Sequence, residues 1–161
     1  MTLAEARRTF PRLPGVNFPK VLNELRLRNH SVEPPSESTP YPVFVQSADA
    51  DGSAVGGIRH PVLAAPLATH VGWSLRASGY GEGDLFTIQG SMIPLEQTEA
   101  ERLRADDPRP SLEARYASRD AWAARLTEAV DRLVADRLLL AEDGDRLVAA
   151  ARESWDVYQE L

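Results

Sequence analysis

The hydrophobic and polar positions of this chain change rhythm near residue 97. Beyond it apolar residues recur at helical spacing almost to the end; before it they form short runs broken by Pro and Gly. In the later part, Thr98 with Glu101 three residues on has the form of a capping box and predicts a helix start. That helix stops before Pro108, because the residue preceding a proline avoids the α region. Ser111 predicts the N-cap of a short helix through Tyr116, and Ser118 that of a longer one. In the longer one Trp122, Leu126, Val130, Leu133 and Val134 fall on one face. A last helix from about Glu142 puts Leu147, Val148, Ala151, Trp155 and Tyr158 on one side. These two stripes predict an antiparallel helical hairpin joined around residues 140–143.

The first 40 residues carry six prolines (11, 14, 19, 34, 35 and 40), so long regular elements are not expected there. Leu25 and Leu27 alternate with Arg26 and Arg28, which predicts a short strand within 21–27; residues 31–42 read as an exposed connector. Residues 41–46 predict a strand through Tyr41, Val43, Phe44 and Val45. Asp49-Ala-Asp-Gly52 between that run and 55–59 has the form of a hairpin turn. Residues 61–75 read as buried but irregular, Gly79–Asp84 as a tight loop, and 85–88 as one more short strand. The expected fold class is α+β: a loop-rich segment 1–97 with short strands and a hairpin, and a helical segment 98–161, together one module.

Bulk properties narrow the picture. The length suits one core. No run of about 18 apolar residues predicts a membrane span, and residues 1–8 lack the apolar core of a signal peptide, so a cytoplasmic location is the default. With no cysteine, disulfides and thiolate metal sites are excluded. The net charge of -6 argues against nucleic acid, which needs a basic stripe. Residues 98–161 hold 10 basic and 15 acidic residues, interleaved as on a solvated helix face.

Candidate chemistry is sparse. The three histidines, His30, His60 and His70, show no metal-ligand spacing, and no metal or cofactor is expected. No G-x-S-x-G elbow occurs; Ser91 in Gln-Gly-Ser-Met lacks the second glycine. His70, in an apolar stretch, is the best general-base candidate, against its being a hydrogen-bonded structural histidine. Gly79-x-Gly-x-Gly with Glu82 and Asp84 would repel phosphate and reads as a turn. Counted as a calcium loop from Asp49, the places needing Gly and Glu hold Ala54 and His60. Glu142, Asp143 and Asp145 suit a helix start without a metal, and Trp122, Trp155 and Tyr158 read as core.

Several short motifs occur in a specific order: Phe10-Pro-x-Leu-Pro-Gly-Val-Asn-Phe-Pro19, Asn23-Glu24, Tyr41-Pro-Val, Asp49-Ala-Asp-Gly52, Gly57-Ile-Arg59, Ala65-Pro-Leu67 and Gly72-Trp73. Glu82-Gly-Asp-Leu85, Gly90-Ser91, Ile93-Pro94 and Asp107-Pro-Arg-Pro-Ser-Leu-Glu113 follow. This set resembles the C-terminal part of a bacterial family called "alpha/beta hydrolase domain" proteins. The resemblance implies a larger parent of α/β-hydrolase type that cleaves esters or amides. It also implies that the nucleophile elbow and the catalytic histidine lie upstream, so that no triad residue carries over and the chain starts as if truncated. The position of His70 looks like one where the family often has tyrosine. Residues 1–97 are then expected to pack beside a catalytic core and cap its pocket, with Gly72, Trp73, Arg76 and Tyr80 as candidate ligand contacts.

Three readings stay open. The first is a fragment or subunit of a hydrolase, without catalytic machinery of its own and partnered by the catalytic half; an exposed apolar patch of more than a few hundred Å² would accompany it. The second is a small hydrolase with His70 as base, Thr69 or Ser91 as nucleophile and Asp84 as orienting carboxylate. The third is a stand-alone interaction module using the acidic helical hairpin.

Overall fold

A computed structural model describes the chain apart from Asn23, Thr87, Glu160 and Leu161 and the side chain of Gln159. Among the described residues the fold is α+β, with four helices beyond residue 98, two short ones before it, and strands in three separate antiparallel pairs.

Helix α1 (Leu3–Thr9) opens the chain with a capping box between Thr2 and Glu5, the device that was read only at Thr98. Strands β1 (Arg26–Asn29) and β2 (Ser36–Pro40) pair as an exposed ribbon. The expected strand is therefore shifted toward 29, and half of the expected connector is its partner. Asn23, inside the expected strand, lies outside the described residues. Residues 41–46 form no ladder. They make one bridge, Phe44 to Thr2, closed by Leu3 N–H to the Val43 carbonyl (3.1 Å) and Val45 N–H to that of Met1 (3.0 Å). β propensity needs a partner strand, and only three residues are there to pair.

The Asp49–Gly52 turn forms as read. Gly52 takes φ +85°, and Asp49 Oδ1 accepts the N–H groups of Asp51 and Ser53, each at 3.0 Å. Only Ala48 and Ala54 bridge beyond it, so the hairpin is one rung deep and 55–59 is not a strand.

The stretch expected to be irregular holds α2 (Pro61–Ala64), β3 (Ala68–Val71) and β4 (Ser74–Leu75). β4 pairs with β5 (Leu85–Phe86) around the Gly79–Asp84 loop, in which all three glycines have positive φ. β5 is shorter than expected, and Thr87 lies outside the described residues. β3 pairs with β6 (Ser91–Pro94), matching Thr69 with Ile93 and His70 with Met92.

Helices α3 (Glu99–Ala105), α4 (Leu112–Arg115) and α5 (Arg119–Ala135) begin at the caps read from Thr98, Ser111 and Ser118. Helix α6 (Ala141–Gln159) returns along α5, with the connection at 136–140. The two helices approach closely at Gly144, where a Cβ would lie 2.7 Å from Val130 Cγ1. Trp122 and Trp155 meet across the hairpin at 5.0 Å between centroids. The core runs from this hairpin through Leu112 and Tyr116 to Ala65, Leu67 and Leu95. Two buried polar tips are satisfied there: Trp122 Nε1 donates to the Ala65 carbonyl and Tyr116 Oη to that of Pro66, each at 3.0 Å.

At the centre of the fold lies an ion pair. Arg109 and Asp107 are each 1% exposed. All five guanidinium protons find acceptors. Nε donates to the Asp107 carboxylate (3.0 Å), Nη1 to Thr69 Oγ1 (2.9 Å) and the Ile93 carbonyl (3.0 Å), and Nη2 to the Pro94 carbonyl (2.9 Å) and Asp107 Oδ2 (2.7 Å). One side chain thus fastens the loop before α4 to both strands of the β3–β6 pair. Thr69 Oγ1 donates its own hydrogen bond to the Asp51 carbonyl, and Arg115 grips the Asp51 carboxylate with both terminal nitrogens.

Candidate functional site

An apolar cavity of about 350 Å³, in the range of small-molecule pockets, lies beside helix α1. Its walls come from four places in the chain. Helix α1 and the segment after it give Ala6, Phe10 and Phe18; the bridged segment gives Phe44 and Val45; the turn gives Gly52; and the β3 end gives His70, Val71 and Trp73. Phe10, Phe18 and Trp73 form an aromatic cluster with centroids 5.2 to 6.2 Å apart. Gly52 is needed at the back wall, since a Cβ there would lie 3.2 Å from Pro11 Cγ and 3.3 Å from Phe10 Cζ.

His70 is the titratable side chain lining this cavity among the described residues. Its Nε2 is buried and makes no hydrogen bond to any described residue. Desolvation, with a smaller contribution from nearby His60, holds its pKa below 6.5, so the ring is neutral at pH 7. A neutral imidazole is chemically able to act as a base, but the groups expected to work with it are elsewhere. Thr69 Oγ1 is fully buried and engaged by Arg109 and Asp51. Ser91 stands opposite Val71, one register step from His70, and lines a different groove. Asp84 folds back over Gly81 in the β4–β5 loop. The structure does not assemble His70, Thr69 or Ser91, and Asp84 into a relay.

The candidate ligand contacts divide in the same way. Trp73 belongs to the apolar cavity. Arg76 and Tyr80 line the shallow groove of about 590 Å³ that includes Ser91 and Phe86, with the Arg76 guanidinium 5.3 Å above the Phe86 ring. Gly72 lines neither. The Asp49 and Asp51 carboxylates are held by Arg59 and Arg115, and Asp143 by Arg146, so each is bound in an ion pair. Among the described residues no group of three or more His, Asp or Glu gathers into a metal-binding cluster.

Sequence reasoning singled out Trp73 but not its aromatic neighbours Phe10 and Phe18. Both belong to the Phe10–Pro19 motif, where the spacing of two phenylalanines among prolines was the available signal. It also missed Arg109, which sits in a quoted motif but carries no mark of burial.

Fold and site together define a small α+β module with a preformed apolar pocket and no assembled triad among its described residues. Residues 23–149 match the family described as "alpha/beta hydrolase domain", which is most of the chain, and the chain belongs to that family. No curated protein and no solved structure matches it. Among the described residues no helix is long and apolar enough to cross a membrane.

Proposed function

We propose that this chain is the pocket-building, C-terminal part of an ester- or amide-cleaving hydrolase and carries no catalytic machinery of its own. The nucleophile elbow belongs to a catalytic half, and residues 1–97 lay a wall of the substrate pocket beside it, with residues 98–161 as the buttress. The observation that carries this reading is His70: it lines the apolar cavity without a hydroxyl or carboxylate on its ring. Exposed apolar side chains support a covered surface, among them Phe44 at 71% exposure on the cavity rim. The reading places the protein in the cytoplasm, away from membranes and nucleic acid, in keeping with its net charge of -6.

The test is a thermal melt of the purified chain followed by an assay with p-nitrophenyl esters. The expected result is no turnover above buffer and recovery of turnover on adding the catalytic half; a cooperative melt with no turnover in either case would mean a stand-alone, non-catalytic module. Turnover that His70→Ala abolishes would overturn this reading and make the chain a small hydrolase in its own right.

A further inference from the structure

One wall of the cavity is aromatic. Phe10 and Phe18 meet Trp73 there from a distant part of the chain, with centroids 5.2, 6.0 and 6.2 Å apart and ring planes inclined by 50° to 73°. Each ring is half-buried and lines the cavity, so each still presents surface to the space after packing on its neighbours. Phe10 is also fixed from behind. A Cβ on Gly52 would meet its Cζ at 3.3 Å, and Gly52 is itself set by the bonds of the Asp49 turn. Rings held in place this way cost a ligand little further ordering.

The rest of the apolar lining is mostly aliphatic, Ala6, Leu22, Val45 and Val71 among it. Polar groups share the wall: the half-buried Ser47, Thr9 with its hydroxyl on the Glu5 carbonyl, the exposed Gln46, and Met1. They accommodate a polar end of more than one kind, so the lining selects the body of a guest and leaves its head group open. Aromatic rings favour another ring in offset or edge-on contact, by about two- to tenfold in affinity beyond the area buried. At about 350 Å³ the space exceeds the ~150 Å³ of an apolar cavity that holds benzene, enough for a ring with a substituent.

We propose that this cavity is an aryl-binding site: it seats the aromatic ring of a ligand against Phe10, Phe18 and Trp73, and gains more from that ring than from a saturated ring on the same carbon skeleton. This rests on the reading of residues 1–97 as a wall of the substrate pocket, and it names the substrate class as an ester or amide that carries an aryl group. Phe18 is on this account a specificity-determining residue.

Equilibrium binding tests it without any turnover, so its failure is distinct from failure of the hydrolase reading. The full chain and its Phe18→Leu variant are each titrated calorimetrically with 3-phenylpropan-1-ol and 3-cyclohexylpropan-1-ol. The cyclohexyl compound is the more hydrophobic of the two. The quantity read is therefore the change in the phenyl-to-cyclohexyl affinity ratio between the two proteins, from which partitioning out of water cancels. That ratio is expected to fall about two- to tenfold in Phe18→Leu, as the loss of one ring contact warrants. The cyclohexyl compound still binds the variant, which certifies its fold. If the variant does not fold, the native chain decides alone: its affinity ratio, divided by the ratio of the two compounds' octanol–water partition coefficients, should exceed about two. No binding of either compound, a ratio that Phe18→Leu leaves unchanged, or a corrected native ratio of one or less would overturn the proposal.

Discussion

Arg109→Met is the substitution with the most clearly derived cost. The side chain is 1% exposed, and its five protons are all engaged. Methionine fills much of the same volume, so the loss is mainly polar. It leaves the Asp107 carboxylate buried, with one hydrogen bond from the Arg109 backbone N–H (2.8 Å) in place of a cation. Breaking a buried pair from one side costs about 3–5 kcal/mol. That is a large share of the roughly 5–15 kcal/mol by which a domain is stable. With a urea slope of about 2 kcal/mol/M, the unfolding midpoint falls by about 1.5–2.5 M.

A double variant separates the stranded charge from the lost contacts. Asp107→Asn keeps an oxygen for the Arg109 N–H and removes the charge. Combined with Arg109→Met, it should be more stable than Arg109→Met alone. Arg109→Lys retains charge but offers three donors from one point where five point in fixed directions, and it should fall between native and methionine. The assay is urea unfolding followed by circular dichroism, with the slope checked for constancy. A loss below about 1 kcal/mol for Arg109→Met, or a double variant no more stable than the single, would refute the claim that an uncompensated buried carboxylate dominates.

Two further outcomes follow from the structure. Gly52→Ala places a side chain at φ +85° and 3.2 Å from Pro11 Cγ, and should cost about 1–2 kcal/mol in urea unfolding; a neutral effect would mean that the turn readily changes type. His70 is held below its usual pKa by burial, so under pH 6.5 the unfolded chain takes up a proton that the folded one resists. Native stability should therefore fall as pH drops from 7.5 to 5.5, and His70→Phe should lack that component; a midpoint difference between the two proteins that does not change with pH would contradict the shift.

What the sequence disclosed was local. Thr98, Ser111 and Ser118 announce their helices because a cap is complete within four residues. The Trp122–Val130 stripe is visible because one helix carries it. The same logic reached Gly52, whose turn closes on itself. It could have reached Thr2 and Glu5, since the identical capping signal stands there. The pairing of 26–29 with 36–40 was not legible, because both strands are exposed throughout and show no alternation of burial. The cavity was not legible either: Phe10, Phe44, Gly52 and Trp73 come together only through contacts between distant segments. Arg109 was hidden for a related reason. An arginine reads as surface until its acceptors are known, and three of them, at Thr69, Ile93 and Pro94, belong to other parts of the chain.

The ion pair under the β3–β6 strands gives the cavity two unlike sides. Its back, from Gly52 to His70, is tied through Asp51, Thr69 and Arg115 to the helical core by buried and half-buried bonds. Its front, α1 and residues 43–45, is held by one bridge, a few main-chain bonds and the solvent-facing bonds of Arg7 to Glu24 and to the Lys20 carbonyl. A chamber so built breathes from the front. Amide exchange at Leu3 and Val45 should outpace that at Leu95 and Tyr116, and the rate at which a guest enters and leaves should follow the front bonds, largely untouched by changes in the helical hairpin. Comparable exchange on both sides would mean that the whole chamber opens as one unit.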